Sequence, residues 1–104
     1  MVRVSWTVRS QNDLQGIYEY IESDSPRYAQ RQVERIRNAV RVLRIFPNAG
    51  RIVPEFPTLL YREVFVDNYR VMYRFEEIAS RVIIMAVVHM RQFIEAPPEA
   101  EDIP

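Results

Sequence analysis

The sequence predicts an α+β domain ordered β-α-α-β-β-β, with a helix hairpin packed on one face of a small, mainly antiparallel sheet. Three observations carry this. Apolar and polar residues alternate at the start of the chain. Apolar residues then recur at helical spacing through two segments. Three short runs of β-branched and aromatic residues follow, the first two separated only by Asp67-Asn68.

Val2, Val4, Trp6 and Val8 alternate with Arg3, Ser5 and Thr7, which predicts a half-buried first strand. Ser10 stands three residues before Asp13, a capping-box-like start. Leu14, Ile17, Tyr18 and Ile21 then predict a helix over residues 11–23. Ser25-Pro26 restarts the chain with an N-cap and a proline in the first turn. Ala29, Val33, Ile36, Val40 and Leu43 form one stripe, predicting a second helix over 26–46 that ends at Pro47-Asn48-Ala49-Gly50. The short link makes the two helices antiparallel. Residues 51–60 contain Pro54 and Pro57 and read as an extended connection. Strands are then expected at 61–66, 69–75 and 81–90.

Asp67-Asn68 suits a two-residue hairpin loop, because both residue types tolerate left-handed backbone. That loop pairs Val66 with Tyr69, Val64 with Val71 and Arg62 with Tyr73, with Phe65–Arg70, Glu63–Met72 and Tyr61–Arg74 pointing the other way. Val64, Val66, Val71 and Tyr73 would face the helices. Arg70 and Arg74 would lie on the second face, expected to meet water or a partner, with Arg62 at the rim of the covered one. Residues 82–88 are apolar throughout, as in a strand central to its sheet or covered on both faces. One domain is expected over 1–93, followed by an acidic C-terminal tail over 94–104, loose or partner-dependent from Pro97-Pro98 onward.

The composition narrows the chemistry. There is no cysteine and a single histidine, His89, so a zinc site would fall to carboxylates almost alone; no metal and no cofactor is expected. Residues 1–8 do not form the apolar core of a signal peptide, and the run 82–88 is too short to cross a bilayer. The expectation is a soluble cytoplasmic protein without membrane contact. All fourteen basic residues are arginine, and net charge is zero. The charge is uneven: Arg27, Arg31, Arg35, Arg37, Arg41 and Arg44 face only Glu34 within residues 26–46, while Glu95, Glu99, Glu101 and Asp102 stand at the end without a base. Such a basic middle fits an anionic partner (nucleic acid, an acidic protein segment or the chain's own tail) or a solvated helix face.

Arginines beside aromatics on an open sheet face suit phosphate contact and base stacking, a docked acidic peptide, or plain cross-strand pairing with Glu63. His89 ends the last strand, where it could move a proton or simply bond a carbonyl. A metal-free nuclease needs a base, a cation for the phosphorane charge and an acid; Glu55, Arg70 and His89 supply those types without any spacing that forces them together.

The element order, "GRIVPEF", "YREVFVDNYRVMYRF" and "VIIMAVVHMRQ" together resemble the RelE/ParE superfamily of type II toxin–antitoxin toxins over residues 2–93. The long helix pair followed by "FPNAGRIVPE" is most similar to the ParE-like branch. The resemblance implies a growth-arresting toxin of the plasmid-stabilisation kind, neutralised by a cognate antitoxin in a hetero-oligomer. ParE-like members poison DNA gyrase and are not enzymes. RelE-like members cleave mRNA in the ribosomal A site. A third possibility is a non-toxic member that only binds its antitoxin. Arg62, Arg70 and Arg91 match positions used by the nuclease branch, and Arg74 neighbours them. Glu55, Arg70 and His89 are similar to the set of the YoeB branch. The chain departs from RelE in having Val64 at a basic position, no tyrosine after Arg91 and no lysine. Arg27, Arg31 and Arg35 are the candidates for antitoxin contact.

Overall fold

The computed structural model describes residues 1–99. The elements run β1 (Arg3–Trp6), α1 (Val8–Glu22), α2 (Pro26–Leu43), β2 (Arg51–Ile52), β3 (Arg62–Val66), β4 (Tyr69–Glu76) and β5 (Arg81–His89). They form one sheet in the order β1-β5-β4-β3-β2. β1 is parallel to β5; every other pairing is antiparallel. The short β2 was not foreseen: Arg51 and Ile52 of the extended connection pair with Glu63 and Arg62.

α1 begins earlier than expected because Thr7, not Ser10, caps it. Thr7 Oγ1 accepts from the Ser10 amide at 3.0 Å and donates to the Ile84 carbonyl at 3.0 Å, so one buried hydroxyl closes the helix and holds it to β5. Ser10 lies inside the first turn, and Asp13 serves the sheet, accepting from Val87 N at 2.9 Å. Burial pushes the Asp13 carboxyl up, against that bond and nearby Arg9. Thr7→Ala should cost about 1–2 kcal/mol, the usual worth of an N-cap, while the Ile84 carbonyl keeps the Thr7 main-chain N–H as a donor. A urea midpoint unchanged by this substitution would rule out the double role. α2 starts on Ser25 and Pro26 as expected but ends at Leu43; residues 44–46 continue only as turns.

The hairpin register is the expected one from Arg62–Tyr73 through Val66–Tyr69. Asp67 takes φ 54°, in the left-handed region. β5 carries a bulge: Met72 pairs with Ala86 but Tyr73 pairs with Ile84, leaving Met85 as the extra residue. Val82, Ile84 and Val87 therefore point to the helices, joining Leu14, Ile36, Val40, Leu43, Val66, Val71 and Tyr73. Ile83, Met85, Ala86 and Val88 point to the other side.

That second face is not open. Val53, Phe56 and Tyr61 from the connection and Ile94 from the segment after β5 close over Met72 and the β5 residues as a second core. Apolar side chains on a wide sheet face are costly in water, and these aperiodic segments cover them. The segment docks further along: Tyr61 Oη donates to the Pro98 carbonyl at 2.9 Å, and Pro98 is buried rather than loose. Residues 100–104, including Glu101 and Asp102 of the expected acidic tail, lie outside the described residues.

Candidate functional site

Arg70 occupies the middle of β4, paired with Phe65 on β3 and Val88 on β5. Expected on an exposed face, it is buried beneath the second cover, with its side chain 5 % exposed. A guanidinium in that position needs carboxylates, and two are present. Nη1 donates to Glu55 Oε1 at 2.9 Å and to Glu63 Oε1 at 3.0 Å. Nη2 donates to Glu55 Oε2 at 2.6 Å and to the Gln92 carbonyl at 2.8 Å. Four of the five guanidinium donors are thereby spent, and the buried Nε has no partner among the described residues. Glu63 is fully buried and is shared with Arg51, whose Nε donates at 2.7 Å and whose guanidinium lies over the Phe65 ring at 4.9 Å.

Glu55 also accepts from the Ile94 amide at 3.2 Å, so the cluster fastens both covering segments to the sheet. The Arg70 hydrogen bond, with help from the Ile94 amide and against burial, lowers the Glu55 carboxyl to about 2 from 4.5. Arg70 is held above its usual value, first by its bond to Glu55. Since the folded value is the lower one, ionised Glu55 stabilises the fold fully above pH 4.5, and this contribution is lost as pH falls towards 2. Acid titration between those limits should destabilise the protein, and Glu55→Gln should flatten the curve there. Parallel curves for the two proteins would contradict the assignment.

His89 stands apart from this cluster. It pairs with Tyr69, whose ring meets it edge-to-face at 5.9 Å, and its Nδ1 accepts from the Arg91 amide at 3.2 Å. Tyr69 packs on the helix-side core, so strand alternation puts His89 on the opposite face from Arg70. Arg74 keeps the expected face, within 5.8 Å of the Tyr61 ring and 3.5 Å of Glu76. Arg62 is tied to the loop before β2, donating to the Gly50 carbonyl at 2.7 Å. Arg91 is exposed.

On α2, Arg35 forks onto Asp67 of the hairpin loop at 2.8 and 3.0 Å, joined by Gln32 at 3.1 Å. The Arg35 bonds lower the Asp67 carboxyl. Arg27 and Arg31 stay exposed beside a cleft of about 830 Å³ that Arg35 and Asp67 also line. Sequence reasoning offered Glu63 as a cross-strand partner of the arginines, as Arg70 now shows, but missed its burial and missed Arg51 as a member of the cluster. The only available signal was register: Glu63 and Arg70 share one face of the hairpin. Among the described residues no group of His, Cys, Asp and Glu could hold a metal, and no helix is long and apolar enough to cross a membrane.

A family model described as the ParE toxin of type II toxin–antitoxin systems matches residues 4–93. The chain is 37 % identical over 92 residues to the putative toxin Y4kP of Sinorhizobium fredii, covering 86 % of this chain and 90 % of that protein. It is 38 % identical over 74 residues to the toxin RelE2 of Caulobacter vibrioides, covering 70 % and 80 %. Its fold is similar to the chromosomal ParDE system from P. aeruginosa, with a TM-score of 0.73 at 21 % identity over 88 % of this chain and 98 % of that one. It is also similar to the toxin–antitoxin complex RelBE2 from Mycobacterium tuberculosis, with a TM-score of 0.61 at 22 % identity over 85 % and 96 %. With a match spanning both helices and all five strands, the chain belongs to the ParE toxin family of type II toxin–antitoxin systems, within the RelE/ParE superfamily.

Proposed function

We propose that this toxin arrests growth by binding and inhibiting DNA gyrase, without nucleolytic chemistry, and that a cognate antitoxin neutralises it. One observation carries the choice of target: Arg70 has four donors committed to its own chain, and His89 lies across the sheet from it. An acid, a base and a phosphate-binding cation must converge within hydrogen-bond reach of one phosphodiester. Here Glu55 and Arg70 neutralise each other instead. The match to the ParE family supports the same reading. The antitoxin is supported by the two structural neighbours, one a toxin–antitoxin system and the other a toxin–antitoxin complex. The exposed Arg27 and Arg31 offer it a basic surface, whereas Arg35 is engaged by Asp67.

Purified protein, at concentrations matching those that stop growth, should inhibit gyrase supercoiling or accumulate gyrase–DNA cleavage complexes, while messages in arrested cells stay intact. Unchanged gyrase activity would reject the target. Message cut at codon positions would assign the chain to the ribosome-dependent mRNA endonucleases, and soluble folded protein without growth arrest would leave only antitoxin binding.

A further inference from the structure

Three of the described residues other than glycine take a positive φ: Leu60 at 61°, Asp67 at 54° and Ser80 at 51°. Asp67 and Ser80 are short polar residues in the two hairpin turns, where left-handed backbone is well tolerated. Leu60 is the exception. At this φ its Cβ crowds the following carbonyl oxygen, so leucine destabilises the fold there relative to asparagine or glycine. The side chain recovers nothing from the core: Leu60 is 72 % exposed and Leu59 beside it 46 %.

The loop that carries this pair is pinned. Val53 N donates to the Tyr61 carbonyl at 2.8 Å and closes residues 53–61 on themselves. Phe56 N donates to the Val53 carbonyl and Leu59 N to the Phe56 carbonyl, both at 3.1 Å. Val53, Phe56 and Tyr61 turn inward as part of the second core, and the two leucines are left at its outer tip. Backbone strain held by a fixed loop, on a side chain that packs against nothing, is the pattern of a binding residue.

Cations flank the tip. The Tyr61 ring, next in the chain, lies 5.8 Å from the Arg74 guanidinium. Arg74 is 3.5 Å from Glu76, whose carboxylate Arg81 also holds at 2.9 Å, and Arg3 pairs with Arg81 across β1 and β5. Three arginines therefore gather around one carboxylate, and Glu77 of the adjoining turn still leaves the balance positive. The same turn exposes Ile78 fully.

We infer that the Leu59-Leu60 tip, with Arg74 beside it, is the surface that grips gyrase, the leucines entering an apolar pocket whose rim carries carboxylates. This inference rests on the gyrase reading above and names the surface that reading uses. Arg27 and Arg31, the basic surface offered to the antitoxin, stand on α2 across the sheet. A second copy of the chain is the wrong occupant, because a symmetric contact would set these arginines against one another.

The test uses the full chain and purified gyrase. Leu60→Asn keeps a residue that tolerates left-handed backbone and removes the apolar anchor. It should raise the concentration needed to inhibit supercoiling about tenfold or more, with a melting temperature equal to the parent's or higher. Leu60→Met should inhibit like the parent, and Arg74→Gln should reduce the salt dependence of inhibition. If the parent inhibits gyrase and Leu60→Asn inhibits equally well, the tip is not the contact and the gyrase reading stands. If the parent itself leaves gyrase unaffected, that reading fails and this inference with it. A Leu60→Asn protein that melts well below the parent would make Leu60 a packing residue and overturn the proposal. So would one that loses the antitoxin complex while still inhibiting gyrase, because the tip would then belong to the antitoxin.

Discussion

Arg70→Ala is expected to unfold the protein rather than to disarm it. The substitution leaves the Glu55 and Glu63 carboxylates buried side by side, one 8 % exposed and the other fully buried, with their shared cation gone. Removing one partner from a buried ion cluster costs about 3–5 kcal/mol, a large part of the ~5–15 kcal/mol that holds a domain together. The Gln92 carbonyl loses its donor as well, so the segment that carries Ile94 loosens. The thermal midpoint should fall by more than about 10 °C. An alanine variant that melts with the parent would show that the cluster contributes little, and loss of toxicity in it would then point to chemistry.

Gly50→Ala should be nearly as damaging, for a steric reason. Gly50 has no positive φ, so its conformation is open to alanine. The space is not: an added Cβ would sit 2.6 Å from the Glu63 carbonyl oxygen and 2.8 Å from the Tyr73 ring edge and hydroxyl. Tyr73 cannot step aside cheaply, because its hydroxyl donates to the Pro47 carbonyl at 2.7 Å and accepts from Gly50 N at 2.9 Å. The backbone between α2 and β2 must move instead, at about 2–3 kcal/mol, read from the urea midpoint. Combining it with Tyr73→Phe should cost less than the two single effects summed, since the phenylalanine removes one of the clashing atoms. Full additivity would argue that the two residues do not press on each other.

Much of the fold was legible. Strict alternation around Asp67-Asn68 left one workable register for β3 and β4, and the Ser25-Pro26 start of α2 needed no tertiary information. The parts that were not legible share a cause. A run without polar residues has no alternation in which to see a slip, so the Met85 bulge was hidden within residues 82–88. Val53, Phe56 and Ile94 come from segments without period, and nothing local announced that they would cover the sheet. Arg70 consequently looked exposed: its face was read correctly, but the cover was not. For the site, Glu55 and Arg70 did come together, while His89, paired with Tyr69 at the end of β5, falls on the other face. Hydroxyl competition explains the shift at α1, where Thr7 also reaches the β5 carbonyl that Ser10 cannot.

On the proposed gyrase reading, the Arg70 cluster holds the toxin together and takes no part in its toxic action. Replacing an entire buried ion cluster with neutral side chains of similar volume is often tolerated, whereas breaking it is not. The combined variant Arg70→Met, Glu55→Gln, Glu63→Met separates structure from chemistry directly. Growth arrest on induction, measured alongside the melting temperature of the purified variant, should persist while the protein remains folded. A combined variant as stable as the parent but unable to arrest growth would contradict the account and return Arg70 and Glu55 to the reacting groups.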